Sequence, residues 1–173
     1  MASLLLVVDM QNGFVNSRTK HIISGIETLI EDFTKKQLPI AFTRFINRPE
    51  SPYVKWIGWS RFMAEPEINL IENFRSTSEY VFDKKAYTAF TEEFERFLVE
   101  HSISKIFLCG IATDGCVLKT AVDSFERQIE PVVIKDACAS HAGHDVHQAG
   151  LLLISRFIGK RQIRTIKQVI ETV

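Results

Sequence analysis

Lys105-Ile106-Phe107-Leu108-Cys109-Gly110-Ile111-Ala112-Thr113-Asp114-Gly115-Cys116-Val117-Leu118-Lys119-Thr120-Ala121 is the stretch from which the fold can be read. Ile106 to Leu108 is an apolar run of the length and composition of a buried strand. Gly110 is expected to break that run. Thr113 or Asp114 then offers a side-chain oxygen to the free N–H groups of a first helical turn. Val117, Ala121 and Phe125 give the helix that follows an apolar side. Cys116 falls inside its first turn, beside unpaired N–H groups and the positive end of the helix dipole. That position favours thiolate, the nucleophilic form. A free cysteine is as often a small buried hydrophobe, and this stretch by itself leaves both readings open.

Strands and helices alternate on either side of it. Leu4 to Val8 is a continuous apolar run with Asp9 at its tip, and Ile22, Ile26, Leu29, Ile30 and Phe33 recur at helical spacing. Pro39 then opens a second strand, Ile40 to Phe45, and Tyr80 to Phe82 reads as a third that ends at Asp83-Lys84. Phe90, Phe94, Phe97 and Leu98 mark a helix ahead of the Ile106 strand. Beyond the Cys116 helix, Pro131 opens the strand Val132 to Ile134, followed by a helix over 146–158 with Leu151, Leu153, Ile154 and Phe157 on its apolar side. A brief strand near Arg161 to Arg164 and a helix from Ile166 to Ile170 complete the pattern. Alternation of this kind predicts one three-layer α/β/α domain over residues 1–173, with a mostly parallel, Rossmann-like sheet of about six strands. Residues 47–78, with Pro49, Pro52, Gly58, Pro66, both tryptophans and Tyr53, form the irregular part, the kind of segment that serves as a lid or an interface.

Composition narrows the function classes. Of 173 residues, 46% are hydrophobic and 24% charged, as in a soluble globular protein. Lys plus Arg and Asp plus Glu number 21 each, so the net charge of zero lacks the footprint of a nucleic-acid binder. No apolar run is long enough to span a membrane. Met1-Ala2-Ser3 leads straight into a core strand, and three cysteines without a CxxC pair suit a reducing compartment; both predict a cytoplasmic protein.

In parallel sheets the reactive groups sit beyond the carboxyl ends of the strands. An acid (Asp9), a base (Lys84) and a thiol (Cys116) stand at three such ends here. One ionisable residue there would be an accident of the surface; three of complementary chemistry point to catalysis.

The same residues resemble the motifs of the isochorismatase-like cysteine hydrolases, a superfamily that includes nicotinamidase and N-carbamoylsarcosine amidohydrolase. Val7-Val8-Asp9-Met10-Gln11-Asn12-Gly13-Phe14 resembles D-x-Q-x-x-F, and Lys84-Lys85-Ala86-Tyr87-Thr88-Ala89-Phe90 resembles K-x-x-Y-S-A-F, which selects Lys84 over Lys85. Gly110-Ile111-Ala112-Thr113-Asp114-Gly115-Cys116-Val117 resembles G-x-A-T-D-x-C-V. Asp136-Ala137-Cys138-Ala139-Ser140, followed by His147 and Leu151, is a weaker fourth match. The resemblance implies a Cys116-Asp9-Lys84 triad: Cys116 the nucleophile, Asp9 the general base, Lys84 the charge that holds both. It also implies a cis peptide at Ile111-Ala112 and an oxyanion hole formed by the N–H groups of Ala112 and Cys116. The expected reaction is hydrolysis of an amide, carbamoyl or ureido C–N bond in a small molecule, through a thioester.

The departures from the family matter equally. Where nicotinamidases carry a metal-binding Asp-x-His and a further His, this chain reads Thr43-Arg44-Phe45-Ile46-Asn47-Arg48-Pro49, so no metal and no other cofactor are expected. Isochorismatases proper lack the nucleophilic cysteine and cleave a vinyl ether, against which Cys116 speaks. His141, His144 and His147 are better read as loop and cap residues than as a metal site, with His147 a candidate supporting residue. Phe14, Phe45, Trp59, Tyr87 and Ile111 are the expected substrate-binding residues. Tyr53, Trp56, Ile57, Trp59 and Phe62 give 47–78 more apolar bulk than a solvent-facing loop needs, which predicts a homo-oligomer with Trp56 or Trp59 buried at the interface or pocket mouth. The rival readings are ester or thioester hydrolysis at the same thiol, and a catalytically silent interaction module; the sequence does not name the substrate.

Overall fold

Asp9 and Cys116 are brought together by two strands at the middle of one sheet, β1 (Ala2–Val8) and β4 (Ile103–Ile111), which run parallel with Val8 opposite Gly110. The computed structural model describes residues 2–77 and 79–173; Met1 and Ser78, at which the predicted domain and the irregular segment respectively begin and end, lie outside the described residues. Outward from β1 come β2 (Ile40–Phe45) and the edge strand β3 (Tyr80–Lys84); outward from β4 come β5 (Glu130–Ala139) and the two-residue β6 (Ile163–Arg164). The order is β3-β2-β1-β4-β5-β6 and every pairing is parallel.

Helices cover both faces. Leu5, Val7, Phe42, Phe107 and Ile134 face α1 (Ile23–Lys35) and α7 (Ile166–Thr172). Leu4, Leu6, Val8, Phe82 and Val133 face α4 (Glu92–Glu100), α5 (Leu118–Glu126) and α6 (His144–Ile158). Because β1 is buried on both sides, its residues read as one apolar run rather than as an alternation. The periodic side chains of α1, Ile26, Leu29, Ile30 and Phe33, are all buried; each such burial contributes about 1.5–3 kcal/mol. Thr91 caps α4 by accepting from the Phe94 N–H, and Thr165 and Gln168 close a capping box at α7.

The local expectations need several corrections. Gly110 does not break its strand: β4 continues to Ile111, with a bulge between Leu108 and Gly110 in its pairing to β5. Its φ of +112° and the approach of β1 explain the residue, since a Cβ at Gly110 would lie 2.1 Å from the Val8 carbonyl oxygen. Phe125, Leu153 and Phe157 are exposed rather than core, so the inner sides of α5 and α6 are narrower than their sequences suggest. The segment after β2 is not wholly irregular: it holds α2 (Pro52–Ile57), capped by Ser51, and the single turn α3 (Glu72–Arg75). The Gln11 side chain ties this segment to the sheet, donating to the carbonyls of Phe45 and Ile68 and accepting from the Phe45 N–H.

Candidate active site

Asp9 follows the last residue of β1 with φ at +49°, a left-handed conformation that Asp tolerates better than most residues. Its carboxylate is fully buried, and the Thr43 hydroxyl of β2 donates to Oδ1 at 2.7 Å. Lys84 ends β3, level with Phe45 of β2, and is as deeply buried as Asp9. Its Nζ lies 2.8 Å from Asp9 Oδ2, 3.2 Å from Cys116 Sγ and 3.1 Å from the Ala86 carbonyl oxygen. The ammonium thus donates to Cys116 and the Ala86 carbonyl and forms an ion pair with Asp9. Nζ also stands 5.4 Å from the centre of the Phe45 ring. Asp9, Lys84 and Cys116, separated in sequence, thus converge on one ammonium group.

Cys116 sits in a tight turn over Thr113–Val117 that precedes α5 and is wound wider than an α-helix, with the N–H of Val117 reaching the Ala112 carbonyl. Neither Thr113 nor Asp114 caps this turn by its side chain, contrary to expectation. The Thr113 hydroxyl instead lies 2.7 Å from Nδ1 of His147 on α6. One turn further along α6, Gly150 packs directly on the same segment; a Cβ there would come within 2.8 Å of the Asp114 nitrogen. Helix α6 therefore fixes the turn from behind. The peptide bond between Ile111 and Ala112 is cis.

The electrostatics correct the expected activation of the thiol. Burial pushes Cys116 up to about 12; Lys84 pulls against that shift, while the Asp9 charge adds to it. The lysine does not outweigh desolvation and a neighbouring carboxylate, so the resting thiol is protonated. Burial alone would lower the Lys84 pKa, but the Asp9 charge beside it holds it above the usual lysine value, and the group stays an ammonium. The resting site is a carboxylate–ammonium pair beside a neutral thiol. Such a site needs a base to take the thiol proton during attack, and Asp9 is placed to act on that thiol.

Above Cys116 opens a cavity of about 570 Å³. Phe14, Phe45, Trp59 and Tyr87, all expected from the sequence, line it, together with Ala112 and Cys116, the two residues named for the oxyanion hole. Ile111 does not: it is fully buried in the core, where its strand leaves no path to the cavity wall. Tyr53, Ile57, Asp114, Gly115, Leu118, Lys119 and His141 complete the wall, none of them named beforehand as a substrate-binding residue. Tyr53 and Ile57 belong to α2, whose placement over the strand ends follows from tertiary packing; Asp114 and Lys119 were legible as neighbours of Cys116. Trp59 packs among Phe14, Phe45, Tyr53 and Phe62, whereas Trp56 is 82% exposed and Ile57 63%. His144 and His147 have their rings 6.2 Å apart, and among the described residues no three His, Cys, Asp or Glu side chains gather as a metal-binding group.

The model of the isochorismatase domain matches residues 3–162. The chain belongs to the isochorismatase family. It is 26% identical over 140 residues to isochorismatase family protein 2A of Dictyostelium discoideum, which covers 79% of this chain and 66% of that protein. To an uncharacterised isochorismatase family protein of Bacillus subtilis it is 26% identical over 188 residues, 98% of this chain and 93% of the other. The crystal structure of N-carbamoylsarcosine amidase from Thermoplasma acidophilum superposes with a TM-score of 0.82 at 25% identity, over 96% of this chain and 97% of that one. This isochorismatase-family chain thus has the α/β fold of the isochorismatase-like hydrolases. Among its described residues no helix is long and apolar enough to cross a membrane.

Proposed function

We infer that this isochorismatase-family hydrolase cleaves a C–N bond of a small amide, carbamoyl or ureido compound, with Cys116 as nucleophile and no metal. The observation that carries this reading is the Lys84 ammonium, 2.8 Å from Asp9 Oδ2 and 3.2 Å from Cys116 Sγ, beneath an aromatic-walled cavity. The Cys116 proton passes to Asp9 as sulfur attacks the acyl carbon, whose oxygen turns toward the Ala112 and Cys116 N–H groups. The C–N bond breaks, and the proton on Asp9 goes to the departing nitrogen. Water then attacks the thioester and gives a proton to Asp9; the C–S bond breaks, the acid leaves, and that proton returns to sulfur. Lys84 stays charged throughout and offsets the negative charge as it moves between carboxylate and sulfur. The similarity to N-carbamoylsarcosine amidase supports this choice of bond.

The one-domain reading of residues 1–173 belongs to the same proposal, with 47–78 as its lid or interface segment. Trp56 and Ile57, exposed on α2, favour a homo-oligomer in which a second copy covers them. The three free cysteines favour a reducing, cytoplasmic setting. A screen of amides, ureas and carbamoyl compounds for ammonia or amine release tests the reaction, with Cys116→Ala as control and the acyl group sought on Cys116 by intact mass. Turnover that survives in Cys116→Ala would refute the nucleophile, and turnover confined to esters would refute the bond.

A further inference from the structure

The charges on the cavity wall do not balance. The ionisable groups that line it, beyond Cys116 and two tyrosines, are Asp114, Lys119 and His141. Lys119 is held one helical turn away by Asp123 in an ion pair. His141 is held below its ordinary value by burial, against the pull of Asp114, and is a neutral imidazole at pH 7. Below the floor, Lys84 belongs to Asp9. Each ammonium at the site therefore already has its acid. Asp114 has no such partner: its Oδ1 is buried without a hydrogen bond among the described residues, and none of the ion pairs among them includes it. The rest of the wall is aromatic, with Phe14, Phe45, Tyr53, Trp59 and Tyr87.

A carboxylate entering this space would give up its hydration for no cation and would face both Asp114 and the negative faces of the rings. A cation would meet attraction from both. We propose that the part of the substrate that is not cleaved is a positively charged, otherwise apolar group, such as an alkylated ammonium, and that Asp114 determines this specificity. The inference rests on the hydrolase reading for the bond broken and narrows its substrate class. Amides and ureas that carry a cationic group fit the wall, and carbamoyl derivatives of amino acids, with their free carboxylate, do not.

The test reads binding rather than turnover. Three benzamides of similar size, bearing a 4-trimethylammonio, a 4-tert-butyl or a 4-carboxy group, are compared for their protection of Cys116 against iodoacetamide. The cation should reach half-protection at about one tenth the concentration of its tert-butyl isostere, and the carboxylate should be the weakest of the three. Asp114→Asn should bring cation and isostere within about twofold of each other. Lys119→Met, at a half-exposed side chain, takes a positive charge from the wall and should widen the gap; it decides the matter if Asp114→Asn does not fold. Equal protection by cation and isostere, best protection by the carboxylate, no protection by any of the three, or a gap unmoved by both substitutions would overturn the proposal. Absence of ammonia release, by contrast, would count against the hydrolase reading and leave the binding result standing.

Discussion

Replacing Lys84 by methionine keeps the length and apolar bulk of the side chain and removes one charge 3.2 Å from Cys116 Sγ. At an effective dielectric constant of about 20, unit charges at that distance attract by roughly 5 kcal/mol, or about 4 units of thiol pKa. If relaxation and water penetration remove half of this, the thiolate fraction at pH 8 falls about a hundredfold. Higher basicity makes the remaining thiolate more nucleophilic by a Brønsted coefficient of about 0.4–0.5, which recovers about tenfold. Alkylation of Cys116 should therefore slow by about tenfold in Lys84→Met, and by about a hundredfold if little of the attraction is lost. Asp9→Asn should act oppositely: it deletes a charge that opposes the thiolate and leaves Lys84 with sulfur as its remaining anionic partner, so labelling accelerates while turnover disappears. The assay is the iodoacetamide labelling rate from pH 6 to 10, resolved by cysteine. Cys109 and Cys138 are buried in the core and should label only in unfolded molecules, so they control for stability. Lys84→Met labelled as fast as wild type, or Asp9→Asn labelled more slowly, would refute the assignment of charges within the triad.

Gly110→Ala should destabilise the chain by about 4 kcal/mol or more, since a β-carbon would lie 2.1 Å from the Val8 carbonyl oxygen at a φ of +112°; urea denaturation measures this, and a loss under about 1 kcal/mol would mean that the strands do not approach as described. His147→Gln, which can still bond the Thr113 hydroxyl, should retain most activity where His147→Ala loses kcat with little change in KM, because the bond positions the nucleophile turn rather than the substrate. His141 and His147 both have lowered values, largely from burial, so the unfolded chain takes up protons first on acidification. Their contribution to stability is complete above about pH 6.5 and is lost as pH falls through their folded values, and a Tm series across pH 5–7 should decline in that direction. Activity should persist through exhaustive chelation; loss with EDTA that zinc or manganese restores would contradict the metal-free reading.

The sequence was most legible where one physical signal dominated. Strand runs such as Leu4 to Val8 are buried on both faces, and apolarity alone marks them. The ends of those strands placed Asp9, Lys84 and Cys116 on one edge before any distance was known. What could not be read depends on packing between remote segments. Gly110 looked like a terminator because its positive φ serves β1, about a hundred residues earlier, and nothing nearby in the sequence shows that contact. Phe125, Leu153 and Phe157 have helical spacing without burial, since periodicity gives a face and not its neighbour. The thiol was misjudged because the helix end and the lysine are legible in sequence, whereas desolvation is a property of the assembled site.

Lys84 closes an edge strand of five residues, whereas its two partners hang from the centre of the sheet. An edge strand has a neighbour on one side only, so it is more open to fraying than the strands at the centre. The chemistry therefore shares the lifetime of this edge seam rather than that of the whole fold. When that seam opens, an ammonium departs and leaves a carboxylate and a thiol in an apolar interior, a state whose uncompensated charge favours closing again. The same ion pair that prepares the reaction acts as a latch on the border of the sheet.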